Sequence, residues 1–238
     1  TKTVIGESTG ENSRKVLWLS NDELAVVGES GFRVSRFITL DADSSETSSF
    51  EGEIEDAYNY FALYPYSERV SYENNKFRFY LPTVQSYKAG SFETATFPMV
   101  SKIGGEDNTL NFQNLCGVLA LNLKGEETIS SITFSGKGAD GNHMVVSGPF
   151  TVDMGYEEFP TMTYALEPNK TTPEISTYHI TLNCGVDGVA LNGGTETPFY
   201  MVLPCGTYTS FSVVIVTTDG EVMYKQGTKP LNIIRSTS

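Results

Sequence analysis

Five side chains supply all the imidazole and thiol chemistry of this sequence: His143, His179, Cys116, Cys184 and Cys205. The two histidines lie 36 positions apart (143 to 179), and no HExxH, CxxC or second histidine stands at the spacing a zinc site needs. His179 and Cys184 are offset by five, which places them on opposite faces of one continuous strand rather than side by side as a base and a nucleophile. No GxSxG elbow presents a serine. GKGADGNHM, from Gly136 to Met144, lacks the strand–GxxxxGK–helix setting of a phosphate loop. Asp41, Asp43 and Glu46 in DADSSETSS are spaced oxygen donors for calcium, but without EF-hand spacing they read as a solvated loop. Carboxylates are abundant, yet a count defines no paired geometry. The expectation is a chain that is not an enzyme and carries no cofactor or metal.

The cysteines read as structural. Cys116 sits in a strand-like run and behaves as a small buried hydrophobe. Cys184 and Cys205 each adjoin a glycine near a strand end and are candidates to meet as a disulfide, leaving one thiol over. Aromatic side chains are the remaining candidates for contact. Trp18 and the alternating tyrosines Tyr58, Tyr60 and Tyr64 could stack on a sugar ring or a partner peptide, or pack a core and a sheet surface.

The elements that hold these residues are short strands. Leu119, Leu121 and Leu123 alternate with Val118, Ala120 and Asn122, a period of two. Lys124-Gly125-Glu126-Glu127 reads as a turn into a second strand, Ile129 to Phe134. The same period places Phe77, Phe79 and Leu81 on one face, as it does Tyr178, Ile180 and Leu182, and again Phe199, Met201 and Leu203. Asn74-Asn75 and Asp219-Gly220 are turn dipeptides, because these residues tolerate positive φ. Pro65, Pro82 and Pro204 end strands by removing a ladder donor. Leu231 to Ile234 reads as a terminal strand, and no segment has the pattern of an ordinary helix. Together these features predict an all-β chain of antiparallel sandwiches. The glycine- and charge-rich SKIGGEDN, Ser101 to Asn108, marks a boundary between residues 1–100 and 101–238.

Composition narrows the partners. Sixteen basic against twenty-nine acidic residues leave a net charge of -13, which repels phosphate backbones and excludes a nucleic-acid-binding stripe. No apolar run reaches the roughly 18 to 20 residues that cross a bilayer. The polar opening TKTVIGESTGENSRK contains no signal-peptide pattern, and a chain starting without Met is consistent with removal of an export signal.

Five segments, taken in order, resemble the fimbrillin-like proteins of Bacteroides-type bacteria. KVLWLSNDELAVV (Lys15 to Val27) resembles their K-x-x-W-x-x-x-D-x-(I/L)-x-V opening, and FEGEIEDAYNYFALYPY (Phe50 to Tyr66) their F-x-G and aromatic run into Y-P. LNFQNLCGVLALNL followed by ISSITFSG is similar to their F-x-N-L segment and the strand after it, and VVSGPFTVD to a later SG element. FYMVLPCGTYTSFSVVIVTTDGEV (Phe199 to Val222) resembles the F-Y-x-x-L-P-x-G-x-Y signature that runs on to D-G, with Cys205 where a second proline often stands.

The resemblance implies two transthyretin-like antiparallel β-sandwich domains with Greek-key-type connections. It implies export as a lipoprotein precursor to the outer membrane and a cell-surface role as a fimbrial accessory, anchor or tip component contributing to adhesion. The implied partners are other fimbrial subunits, joined by β-strand exchange, and a host protein or glycan; the membrane is reached only through a precursor lipid anchor. In that scheme an arginine- or lysine-directed protease removes an N-terminal strand. Arg14 and Lys15 precede the first matched strand and Arg33 and Arg36 follow it, so either pair is a candidate for processing. Leu231, Ile233 and Ile234 are the candidates for a donor strand, in a tail short enough to favour an accessory or tip role at least as much as a shaft. The alternative is a surface glycan-binding lipoprotein module using Trp18, Tyr58, Tyr60 and Tyr64.

Overall fold

A computed structural model of the chain describes residues 4–10, 13–105, 107–167 and 169–235, with side chains described from Val16 onward. The chain is all-β. It begins with β1 (Val4–Gly10) and β2 (Ser13–Leu17), which pair as an antiparallel hairpin. β3 (Glu23–Gly28), β4 (Ser35–Thr39), β5 (Phe50–Glu51) and β6 (Asn59–Tyr64) follow. β7 (Ser71–Glu73) and β8 (Lys76–Leu81) close around Asn74-Asn75, whose φ angles of 51° and 60° are those a two-residue hairpin turn requires.

Next come β9 (Val84–Ser86), β10 (Met99–Gly104), β11 (Gln113–Asn114), β12 (Cys116–Gly125) and β13 (Thr128–Lys137). β14 (Gly148–Asp153) and β15 (Met162–Tyr164) precede one 3-10 turn, Ile175–Tyr178, the only helical element among the described residues. The chain ends with β16 (His179–Asn183), β17 (Val189–Ala190), β18 (Gly193–Pro204), β19 (Gly206–Tyr208), β20 (Ser210–Thr217), β21 (Val222–Gly227) and β22 (Leu231–Ile233).

One sheet runs β11-β10-β6-β3-β4-β5 and a second runs β15-β14-β8-β7. Register places Phe77 and Phe79 opposite Val152 and Phe150, so these apolar side chains share one face. Phe61 of the first sheet stacks on Tyr72 of the second at 5.9 Å between ring centres, which joins the two layers. A third sheet runs β21-β20-β13-β16-β9, with β17 beside β13, while β12-β18 and β19-β22 form separate pairs. Ile132, Phe134, Ile180, Leu182, Val213 and Ile215 from this sheet are buried with Phe199, Met201 and Leu203 of β18. Each such side chain contributes about 1.5–3 kcal/mol on leaving water.

One feature departs from the sequence reading. β9 joins β16 in a parallel ladder, so the sheets are not wholly antiparallel: after β8 the chain crosses to another sheet instead of folding back. The expected boundary between residues 100 and 101 falls inside β10, and Gly104-Gly105 ends that strand. Ladders β8–β14 and β9–β16 hydrogen-bond residues on either side of that point. The turn-forming character of SKIGGEDN is thus spent on a strand end.

Candidate binding groove

Trp18 is held from both directions along its backbone. Its N–H donates to the Ser45 carbonyl at 2.8 Å and its carbonyl accepts from Ser45 N–H at 3.1 Å, which pins the 41–49 loop beside the end of β2. Three rings meet the indole edge-on: Phe50 at 5.1 Å, Phe112 at 5.3 Å and Tyr64 at 5.4 Å. Such geometry aligns ring edges with π faces and favours one arrangement of the cluster. Beneath it the buried Asp22 accepts from Leu19 N–H at 2.8 Å and from the Tyr64 hydroxyl at 3.0 Å. Asn21, at a φ of 64°, makes the turn from which Asp22 reaches the Tyr64 hydroxyl.

The exposed margin of this cluster is a groove of about 840 Å³. Its floor is one face of the first sheet, where Val26, Phe37, Tyr60, Met99 and Ile103 come from four different strands. Residues 46–50 form one wall and residues 107–112 the other, with Val16 and Trp18 at the end nearest β2. The walls carry hydroxyls and amides from Thr47, Ser48, Ser49, Asn108, Thr109 and Asn111, together with the acids Glu46 and Asp107. Among the described residues no Lys, Arg, His or Cys lines it. A groove of this kind suits apolar or neutral surface.

Hydrogen bonding stiffens its first wall. Asp41 Oδ2 accepts from Ser48 Oγ at 2.6 Å and from Ser49 N–H at 3.0 Å. The Ser48 hydroxyl first, and the Ser49 amide second, hold the Asp41 carboxyl below the usual carboxylate range. No group of three or more His, Cys, Asp or Glu is placed to hold a metal among the described residues.

The tyrosine stripe divides. Tyr60 lines the groove and its hydroxyl accepts from Ala57 N–H at 2.8 Å. Tyr58 precedes β6 and is 71% exposed, outside the groove. Tyr64 has no exposed surface, a correction to its reading as a ligand contact: its period matches Tyr60, but Trp18 covers it.

Of the basic residues, Arg14 and Lys15 lie on β2, Arg14 paired in register with Ser8; their side chains fall outside the described residues. Arg33 is exposed on the segment between β3 and β4, lining a smaller hollow with Glu53, Glu55 and Asp56. Arg36 is on β4, where it pairs with Glu23 and lies 5.9 Å over the Tyr66 ring. The hydrogen bond and charge of Glu23 raise its pKa further.

At the other end of the chain, β22 pairs with β19. Leu231 is half-buried, Ile233 is buried and Ile234 is 77% exposed. A Cβ on Gly117 would lie 2.3 Å from the Ile234 carbonyl oxygen and 2.7 Å from Ile233 Cγ2, so this glycine is what lets the terminal strand approach β12.

His143 is exposed, 5.9 Å from the Tyr178 ring, and His179 begins β16. All three cysteines are free thiols, so the candidate pair Cys184 and Cys205 is not bridged: Cys184 follows β16 and Cys205 follows β18, in different sheets. Burial raises each of their pKa values, that of Cys184 to about 11. Trp18 and Tyr60 were legible as contact residues; Phe37, Ile103 and the 107–112 wall were not, since their convergence follows from strand order. Comparison with protein-family models, with curated proteins and with solved structures yields no match for this chain.

Proposed function

We propose that this chain is a cell-surface fimbrial subunit, an accessory, anchor or tip component that assembles by β-strand exchange and contributes to adhesion. The observation that carries the reading is the groove beside β2: an apolar floor on a sheet face, flanked by neutral and acidic walls. The β1–β2 hairpin that borders it forms a sheet of its own, so loss of β1 breaks no ladder of another sheet. An extended apolar strand is the occupant such a channel accommodates. The ordered fimbrillin-like segments and the all-β fold support the same reading. In it the architecture is two transthyretin-like sandwiches with Greek-key connections, the precursor is a lipoprotein delivered to the outer membrane, and the partners are other subunits and a host protein or glycan.

Limited digestion with an arginine- or lysine-directed protease, followed by addition of candidate subunits or a peptide matching residues 229–235, tests it. The expected result is capture of an apolar strand with protection of the groove walls from hydrogen exchange. Treated protein that stays monomeric and captures neither peptide nor subunit overturns the proposal.

A second reading, glycan binding, is favoured by Trp18 and Tyr60 lining the groove beside Asn108 and Asn111. A glycan array showing no binding that depends on Trp18 removes it.

A further inference from the structure

β21 is an edge strand of unusual character. It pairs with β20 on one side and with no strand on the other among the described residues. Its register with β20 runs unbroken from Val222 to Gly227, without the bulge that commonly twists an edge away, and it contains no proline. Val222, Met223 and Tyr224 are 64%, 43% and 64% exposed, so apolar side chains stand uncovered on both of its faces.

The hydrogen-bonding direction of each residue follows from the turn before it. The Glu221 carbonyl accepts from Thr217 N–H at 3.0 Å, toward β20. Backbone polarity alternates along an antiparallel strand, so Met223 and Lys225 also bond inward. Val222 and Tyr224 therefore direct their N–H and C=O groups outward, to the open edge.

We propose that two copies of this chain associate through these edges, antiparallel about a two-fold axis at Met223. The sequence Glu221-Val222-Met223-Tyr224-Lys225 is self-complementary in that register alone. Glu221 meets the partner's Lys225, Val222 meets the partner's Tyr224, and Met223 meets its own counterpart. The pairs Val222–Tyr224 are the hydrogen-bonded ones, which matches the outward direction of their backbone groups. A slip that centres on Tyr224 sets Met223 against Lys225; one that centres on Lys225 sets two ammonium groups together. Lysine on an edge ordinarily deters pairing. Here it deters every register but the one in which a glutamate faces it. A two-fold interface of this kind is closed, giving a dimer with one sheet continuous across both copies.

Sedimentation velocity of the full chain, over concentrations up to the millimolar range, tests the proposal. A reversible dimer is expected. Glu221→Lys and Lys225→Glu should each weaken it roughly tenfold, since two symmetry-related pairs turn repulsive. The double reversal should recover the original affinity. Met223→Cys supplies an independent reading: residues facing each other across a non-hydrogen-bonded pair lie about 4.5 Å apart at Cα, within disulfide range. Mild oxidation should then yield covalent dimer from Met223→Cys, but none above the unaltered chain from Lys225→Cys. A chain monomeric throughout, a double reversal that fails to recover association, or equal cross-linking at 223 and 225 overturns the proposal.

Discussion

The side chain of Gln85 closes a two-way hydrogen bond on the backbone of Val202, 117 positions later in the chain. Gln85 Nε2 donates to the Val202 carbonyl at 2.9 Å, and Gln85 Oε1 accepts from Val202 N–H at 2.9 Å. Gln85 belongs to β9 and Val202 to β18, which lie in different sheets. The carboxamide presents one donor and one acceptor, as an opposing strand would, to the side of β18 away from β12. Both residues are fully buried, so water cannot take its place.

Gln85→Leu leaves the Val202 donor and acceptor buried and unsatisfied, and should cost about 2–4 kcal/mol. Gln85→Glu should cost more at neutral pH, because a carboxylate then faces the Val202 carbonyl, and should recover partly on acidification. Urea unfolding followed by fluorescence checks both, with an unchanged m-value expected for Leu.

Gly117→Val places a side chain where the backbone of Ile234 and the side chain of Ile233 now lie. The expected outcome is release of β22 from β19 while the rest of the fold remains. Amide exchange should rise at Asn232 and Ile233 and stay unchanged in β8 and β14. Uniform loss of protection would show instead that the terminal strand is part of the global unfolding unit.

Alkaline pH should destabilise the fold through groups that it keeps neutral. Burial, foremost, pushes the Tyr208 phenol up, and its hydroxyl donates to the Pro204 carbonyl at 3.0 Å. Cys184 is pushed to about 11 by burial. The folded chain therefore retains protons that the unfolded chain releases, beginning near pH 9 for a thiol and about 10 for a phenol. Stability is fully present below that range and falls as pH rises through it. Tyr208→Phe combined with Cys184→Ala should flatten the decline, measured by urea midpoints across the alkaline range.

Asp41 acts at the opposite end of the pH scale. Its folded pKa is lowered, chiefly by Ser48 and then by the Ser49 amide, so its contribution is present above the ordinary carboxylate range and lost as pH falls through the folded value. The protection of the Ser49 amide, taken relative to an unstructured amide at the same pH, should fall as acid drops the pH below the ordinary carboxylate range. In Asp41→Asn that protection should be lower at neutral pH already and less sensitive to acid.

Local periodicity in this sequence determined which residues form strands and which of them share a face. Phe77, Phe79 and Leu81 turned inward together, as did Phe199, Met201 and Leu203, and the Asn74-Asn75 and Asp219-Gly220 turns closed as hairpins. These features depend on side-chain alternation and backbone φ preferences, which act within a few residues. Tertiary structure alone decided which sheet each strand entered. β12 and β13 are separated only by Glu126 and Glu127, yet β12 pairs with β18 and β13 with β16 and β20. Tyr58 and Tyr64 fall in one tyrosine-rich run, yet one is exposed and the other lies under Trp18. A period of two specifies a strand's two faces but not what covers them. Cover is set by pairings across long stretches of chain, such as Gln85 with Val202, whose partners carry no mark of each other in the local sequence.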